Sequence, residues 1–178
     1  MPDDFACMRE ALALAEEAAA EGEIPVGAVV VDRETGEILG RGRNRREHDH
    51  SPTAHAEILA IEEAAKKRGT WRLSGCNLYV TLEPCPMCSG AIINARIDRV
   101  IFGAYDEKAG AVVSVQQMFQ LPYNHKPRVT EGLLELPCAE ILQRFFSEIR
   151  DKNVENVTKS QPQFVRDVYR NIQKLRPV

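Results

Sequence analysis

Thr53-Ala54-His55-Ala56-Glu57 and Glu83-Pro84-Cys85-Pro86-Met87-Cys88 are the two stretches that say most about this 178-residue chain. Two cysteines separated by two residues at the start of a helix can bind one metal ion, and the positive end of the helix favours their thiolate form. His55 would add a third ligand and leave a fourth tetrahedral position open, as in catalytic zinc sites. Glu57 lies two residues beyond that ligand, so its carboxylate can approach a water in the open position without binding the metal.

Zinc-dependent nucleobase deaminases carry this pairing of His-x-Glu with Pro-Cys-x-x-Cys. The pattern is specific, because four chemically defined positions must coincide with the starts of two helices. Two other interpretations stay open. Cys85 and Cys88 could be core thiols or a redox pair, with His55 and Glu57 at the surface. The chain could also be an inactive subunit that keeps its zinc, although a purely structural site needs no acid at position 57.

The composition is ordinary for a globular protein, with 44% hydrophobic residues, 28% charged residues and a net charge of −3. Five cysteines with one tight pair favour metal or redox chemistry over a disulfide framework. The chain shows no apolar run long enough to cross a bilayer and no basic secretory start, so we expect a cytoplasmic protein without membrane association. The net negative charge argues against an indiscriminate nucleic-acid coat but allows a local basic patch.

Apolar periodicity predicts helices that alternate with short strands. Helices are expected at 4–20, 53–68, 86–95 and 138–150, and Thr53 is the expected N-cap of the second. Strands are expected at 24–31, 37–44, 78–82, 99–103 and 128–130. Alternation of this kind is typical of helices on both faces of one sheet. We therefore expect a three-layer α/β/α domain around a central, mixed five-stranded sheet.

The last 28 residues differ from the rest of the chain. Residues 151–161 are polar and poorly patterned, which predicts a linker. From Pro162 onward, apolar residues recur at helical spacing and predict a short amphipathic helix. The division is therefore a domain at 1–150 followed by a tail at 151–178. The tail carries an excess of basic residues, which could contact phosphates or form the solvated face of a helix packed on the domain.

Over about residues 5–150 the chain resembles the bacterial tRNA-specific adenosine deaminases, a branch of the cytidine deaminase superfamily. The two zinc motifs are common to the superfamily, whereas other segments point to the tRNA branch. Those segments are Val80-Thr81-Leu82-Glu83-Pro84-Cys85 and Phe102-Gly103-Ala104. The resemblance also includes Asn124-His125 and Thr130-Glu131-Gly132. The resemblance implies a cytidine-deaminase-like fold and the hydrolytic conversion of adenosine to inosine at the wobble position of an anticodon stem-loop. It also implies a homodimer.

The same resemblance assigns the site residues. His55, Cys85 and Cys88 would hold one Zn²⁺ per subunit, and Glu57 would be the proton shuttle. The resemblance implies Asn44 and Asp106 as substrate contacts, and Asn124, Arg45 and Arg46 are further candidates for contacts with the RNA. Asn44 would hydrogen-bond the bound base, and Asp106 would contact a sugar of the loop. As alternatives, Asn44 could close a hairpin turn and Asp106 could be a solvated loop acid.

Arg41, Arg43, Arg45 and Arg46 crowd the segment beside Asn44, where they could bind RNA phosphates or form an ordinary solvated face. His48 and His50 precede the zinc helix, and a surface role suits them better than metal ligation. A deaminase of a free base or nucleotide, of the guanine or cytosine type, is the nearest rival function. A non-catalytic RNA-binding or scaffolding subunit is the rival from another class.

Overall fold

A central sheet of five strands organises the computed structural model, which describes residues 3–160, with side chains described to residue 152. The strands are β1 (Gly27–Asp32), β2 (Ile38–Arg43), β3 (Cys76–Leu82), β4 (Arg99–Ala104) and β5 (Arg128–Thr130). Their order in the sheet is β2-β1-β3-β4-β5. β1 is antiparallel to β2 and β3, whereas β3, β4 and β5 are parallel. The mixed five-stranded sheet predicted from the sequence is confirmed.

Helices cover both faces of the sheet. The helices are α1 (Asp4–Ala20), α2 (Ala56–Arg68), α3 (Pro86–Ala95) and α4 (Glu135–Ser160), with a short 3-10 turn at Met118–Gln120. Side chains alternate along the strands, so Tyr79 and Ile101 pack with α1 and the start of α4, while Leu78 and Val80 pack with α2 and α3. The structure therefore has the three α/β/α layers that the sequence predicts.

Two glycines let α2 lie directly on the edge strand β2. A Cβ at Gly40 would overlap the backbone of α2 at Ala60, and a Cβ at Gly42 would overlap it at Ala56. Any larger residue would push the helix away from the strand, because backbone atoms cannot give way as a flexible side chain can. This close contact fixes the first turn of α2 against the sheet, and that turn carries the first candidate motif.

The end of the described chain corrects one expectation. The sequence predicts a linker at 151–161, but α4 continues without a break to Ser160. The stretch 151–160 contains no glycine or proline, so nothing in its sequence interrupts the helical hydrogen bonds. The amphipathic helix predicted from Pro162 lies outside the described residues. None of the described helices combines the length and the apolar character that a membrane span requires.

Candidate metal centre and substrate pocket

The two motifs begin two helices, and the first ligand of each occupies the N-cap position. His55 precedes α2 with φ −78° and ψ 151°, and Cys85 precedes α3 with φ −73° and ψ 172°. Neither side chain makes a capping hydrogen bond, so both are free to point elsewhere. The sequence predicts Thr53 as the N-cap of α2, which is wrong, because the helix begins three residues later at Ala56. Pro86 suits the first turn of α3, where a backbone N–H is not needed.

The three predicted metal ligands converge. His55 Nδ1 lies 3.5 Å from Cys88 Sγ and 3.7 Å from Cys85 Sγ. All three ligand atoms lie within 4.8 Å of one another. Zinc bonds of about 2.0–2.3 Å to nitrogen and sulfur place tetrahedral ligands about 3.5 Å apart, so the spacing fits a zinc ion. One imidazole and two thiols are also ligands that zinc prefers. The residues present therefore fit the metal that the sequence predicts.

The cysteine pair is already partly ionised in this arrangement. The Cys88 thiol donates a hydrogen bond to Cys85, and with His55 nearby this lowers the pKa of Cys85 to about 4. The same hydrogen bond and burial raise the pKa of Cys88 far above its ordinary value. Cys85 is therefore a thiolate at neutral pH, and a bound cation would release the remaining proton from Cys88.

Glu57 stands beside the ligands as a buried carboxyl group. It is 4% exposed and lies in the first turn of α2, two residues after His55. Burial raises the pKa of Glu57 to about 7. A carboxyl with a pKa near neutrality can both accept and release a proton, which is what a general acid–base requires.

A cavity of about 220 Å³ opens over this centre. The cavity is smaller than the roughly 300–1,000 Å³ of pockets for drug-sized ligands, which suits a single base. Its wall contains the carboxyl group of Glu57 and the ligands His55 and Cys85. The remaining lining residues are Ile24, Val26, Asn44, Arg46, Ala56, Leu82, Glu83, Asp106 and Ala109.

The structure brings three of the five predicted substrate contacts to this cavity, namely Asn44, Arg46 and Asp106. Asn44 follows β2 and is 5% exposed. Among the described residues its side chain makes two long hydrogen bonds, to Ile24 O at 3.3 Å and from Arg46 N at 3.4 Å. Asp106 turns its Oδ1 towards the backbone N–H groups of Lys108 and Ala109. The contacts that these side chains make with a substrate stay a prediction.

Arg45 and Asn124 lie outside the cavity wall. The guanidinium of Arg45 pairs with Asp49 at 3.0 Å, which lowers the pKa of Asp49 to about 2. Asn124 is exposed in the loop between the 3-10 turn and β5. His48 and His50 are both exposed, in agreement with the surface role predicted for them.

Most of the arginine cluster is ion-paired with acids of α1 and of its C-cap. Arg43 pairs with Glu21 at 2.7 Å and with Glu17 at 3.5 Å, and Arg41 lies 4.0 Å from Glu10. These pairs could not be predicted from the sequence, because α1 lies far from the arginines along the chain. Within the described part of the chain, Arg46 is the member of the cluster that lines the cavity and forms no ion pair.

Glu83 is a further residue of this site, which the motifs in the sequence did not predict. Its side chain is 2% exposed, and it lines the cavity at the end of β3. The available signal was a charged residue placed directly after the buried strand 76–82 and directly before the Pro-Cys of the second motif. A carboxylate at such a position is buried only when several donors satisfy it.

The fold and the His/Cys/Cys centre define the protein as a deaminase of nucleobases. The sequence profile of the MafB19-like deaminase family matches residues 2–150. A tRNA-specific adenosine deaminase of Bacillus subtilis (strain 168) is 46% identical over 153 residues, which cover 85% of this chain and 94% of that protein. The chain belongs to the family of tRNA-specific adenosine deaminases.

Solved structures of two kinds of deaminase share the fold of this chain. One comes from a study of A-to-I editing by tRNA:A34 deaminases at the wobble position of transfer RNA, and it is similar to this chain with a TM-score of 0.74. It is 46% identical and covers 77% of this chain and 99% of its own. A guanine deaminase from Nitrosomonas europaea is similar with a TM-score of 0.73 at 26% identity, over 82% of this chain and 85% of its own. The tRNA deaminase is thus much closer in sequence at a similar overlap of the fold.

Proposed function

We propose that this protein converts the wobble adenosine of a tRNA anticodon stem-loop to inosine, with one zinc ion held by His55, Cys85 and Cys88. The observation that carries the proposal is the convergence of these three ligands under a small cavity that also contains the buried Glu57 carboxyl group. The 46% identity to a tRNA-specific adenosine deaminase over nearly the whole of that relative supports the substrate class. The predicted homodimer and cytoplasmic location stay predictions.

The chemistry follows from the residues around the cavity. A zinc ion, when bound, supplies an activated water at neutral pH. Glu57 takes a proton from the attacking water and delivers it to the purine ring nitrogen beside the reacting carbon. It then carries the second proton to the departing amino group. Water is consumed and ammonia is released, so adenine becomes hypoxanthine with no oxidant or reductant.

The neighbouring side chains select and orient the base. The amide of Asn44 can present a donor and an acceptor to one base edge once its long hydrogen bonds are exchanged for bonds to the substrate. Ile24, Val26 and Leu82 supply an apolar surface for the ring. A base paired within a helix could not enter, so the substrate must be an unpaired base turned out of its loop.

The deciding experiment measures zinc content and product on several substrates. We expect one zinc per chain and conversion of adenosine to inosine in an anticodon stem-loop RNA, with no ammonia from free guanine or cytosine. Ammonia from a free base alone would assign the protein to the rival class. Zinc binding without release from any substrate would favour the scaffolding subunit.

Two variants separate the roles of the ligands and the acid. Glu57→Ala should keep its zinc and lose turnover, because the carboxyl group moves protons and does not hold the metal. Cys88→Ala should lose both zinc and turnover, because two ligands hold zinc far less tightly than three. A Glu57→Ala protein without zinc would contradict the role assigned to that carboxylate.

A further inference from the structure

We propose that Glu83 is a positioning residue that holds the backbone of residues 106–114, here named the pocket loop, as one wall of the substrate cavity. The inference rests on the proposed function, because the loop matters only if the cavity takes the substrate. No step of the deamination requires a second carboxylate. Glu83 is nevertheless buried at the centre of this wall.

Both oxygens of the Glu83 carboxylate are taken up by the pocket loop. Oε1 accepts hydrogen bonds from the backbone N–H groups of Val112, Val113 and Ser114 at 3.1, 2.7 and 2.9 Å. Oε2 accepts a bond from the backbone N–H of Asp106 at 3.1 Å and a second from the Ser114 hydroxyl. Five donors of one loop therefore converge on one side chain, which ties together the two ends of the loop.

The loop is also packed against the carboxylate without room to spare. A Cβ at Gly110 would overlap Glu83 and would lie 2.6 Å from the carbonyl oxygen of Asp106. Next to it, the N–H of Ala111 donates to Pro84 O at 2.9 Å. Hydrogen bonds from charged acceptors are stronger than neutral ones, so this set fixes the loop more firmly than backbone contacts alone would.

The position of the loop decides the shape of the cavity. Asp106 and Ala109 belong to it and line the wall, while Cys85 lies only two residues after Glu83. The short segment 83–85 thus carries the metal ligand Cys85 at one end and, at the other end, the carboxylate that holds the pocket loop. Glu83 itself contributes no ligand to the His/Cys/Cys group. Loss of the carboxylate should therefore disturb substrate binding and leave the metal in place.

Glu83→Gln tests this separation at the level of single contacts. The amide keeps one oxygen, which can still accept from residues 112–114, but its NH₂ group faces the N–H of Asp106 and cannot accept a hydrogen bond from it. We expect the wild-type amount of zinc, a KM for the anticodon stem-loop raised by about tenfold and a kcat within about threefold of wild type. Hydrogen exchange at the Asp106 amide should become faster, while exchange in β1 and β3 should not change.

A second variant reaches the same contact from the loop. Gly110→Ala leaves Glu83 intact but forces the loop away from the carboxylate, so it should reproduce the higher KM with normal zinc. Glu63→Gln is the matched control, because that carboxylate accepts a backbone N–H from Arg41 at 2.7 Å outside the cavity wall. Its KM should equal that of the wild type.

Three results would overturn the proposal. They are loss of zinc in Glu83→Gln, a fall in kcat at unchanged KM, and an unchanged exchange rate at the Asp106 amide. Failure of the proposed function is distinguishable from these, because it would appear as a wild-type protein that does not deaminate the stem-loop. The exchange rates of the loop would still report whether Glu83 holds it.

Discussion

Replacing Arg46 by glutamine should remove one phosphate contact, and replacing Arg43 should remove none. Arg46 lines the cavity mouth beside Asn44 and forms no ion pair within the described residues. Arg43 is held between Glu17 on α1 and Glu21 at the C-cap of α1, at 3.5 and 2.7 Å. The two arginines are close in sequence and identical in charge, so they form a matched pair in which only Arg46 lines the cavity and only Arg43 is ion-paired.

The magnitude follows from counterion release. Each phosphate neutralised on a single strand contributes about 0.7 to the slope of log affinity against log salt. Arg46→Gln should therefore flatten that slope by about 0.7. Between 50 and 200 mM salt, wild-type binding should thus weaken by about 2.6-fold more than binding by the variant. Arg43→Gln should keep the wild-type slope.

Fluorescence anisotropy with a labelled anticodon stem-loop, at several salt concentrations, measures both slopes. The binding experiment should use Glu57→Ala protein as background, so that the RNA is not converted during titration. Equal flattening by the two variants would refute the reasoning, because it would show that the acids of α1 do not occupy Arg43. An unchanged slope for Arg46→Gln would remove that residue from the RNA contacts.

Two further outcomes concern stability. Gly42→Ala should lower the free energy of unfolding by about 1–3 kcal/mol in urea, because the new Cβ would overlap the α2 backbone at Ala56. An unchanged stability would show that the helix can move outward. Asp32 accepts the N–H groups of Thr35 and Glu34 in the turn between β1 and β2, and these bonds lower its pKa. Because the pKa of Asp32 is lower in the folded protein, its ionised carboxylate stabilises the fold above about pH 4. This stabilisation is lost as the pH falls through the pKa of the folded state. Asp32→Asn should thus cost about 1 kcal/mol at pH 7 and less at pH 3, and an equal cost at both would exclude the carboxylate charge as its cause.

The convergence of His55, Cys85 and Cys88 and the layered fold could be predicted because their signals are local. A Cys-x-x-Cys pair needs only the first turn of a helix to converge, and a helix stop such as Gly69, with φ 70°, is fixed by its own backbone. The prediction of Thr53 as the N-cap of α2 was wrong for a related reason. A capping side chain is a good signal only when the helix uses its N-cap for capping, and His55 occupies that position without doing so.

The features that could not be predicted depend on contacts between distant parts of the chain. The ion pair of Arg43 with Glu21 joins residues on two different elements, and the bonds from Glu83 reach into a loop that follows β4. Neither contact has a periodic pattern or a fixed spacing that a sequence would show. For the proposed function both contacts matter, since one would remove a charge from RNA binding and the other would shape the cavity.

The geometry of the site explains why two helices begin with uncapped residues. An N-cap side chain that accepts no backbone N–H forgoes roughly 0.5–2 kcal/mol per helix, and His55 and Cys85 both do so. A metal ion bound to both would return that free energy, because ligand binding to the folded state stabilises it. The N-cap position is also where a helix dipole favours thiolate over thiol and where a first-turn carboxylate such as Glu57 lies within reach of the same point. The two helix starts are thus less stable by themselves, but their side chains can point to one common site together with Glu57.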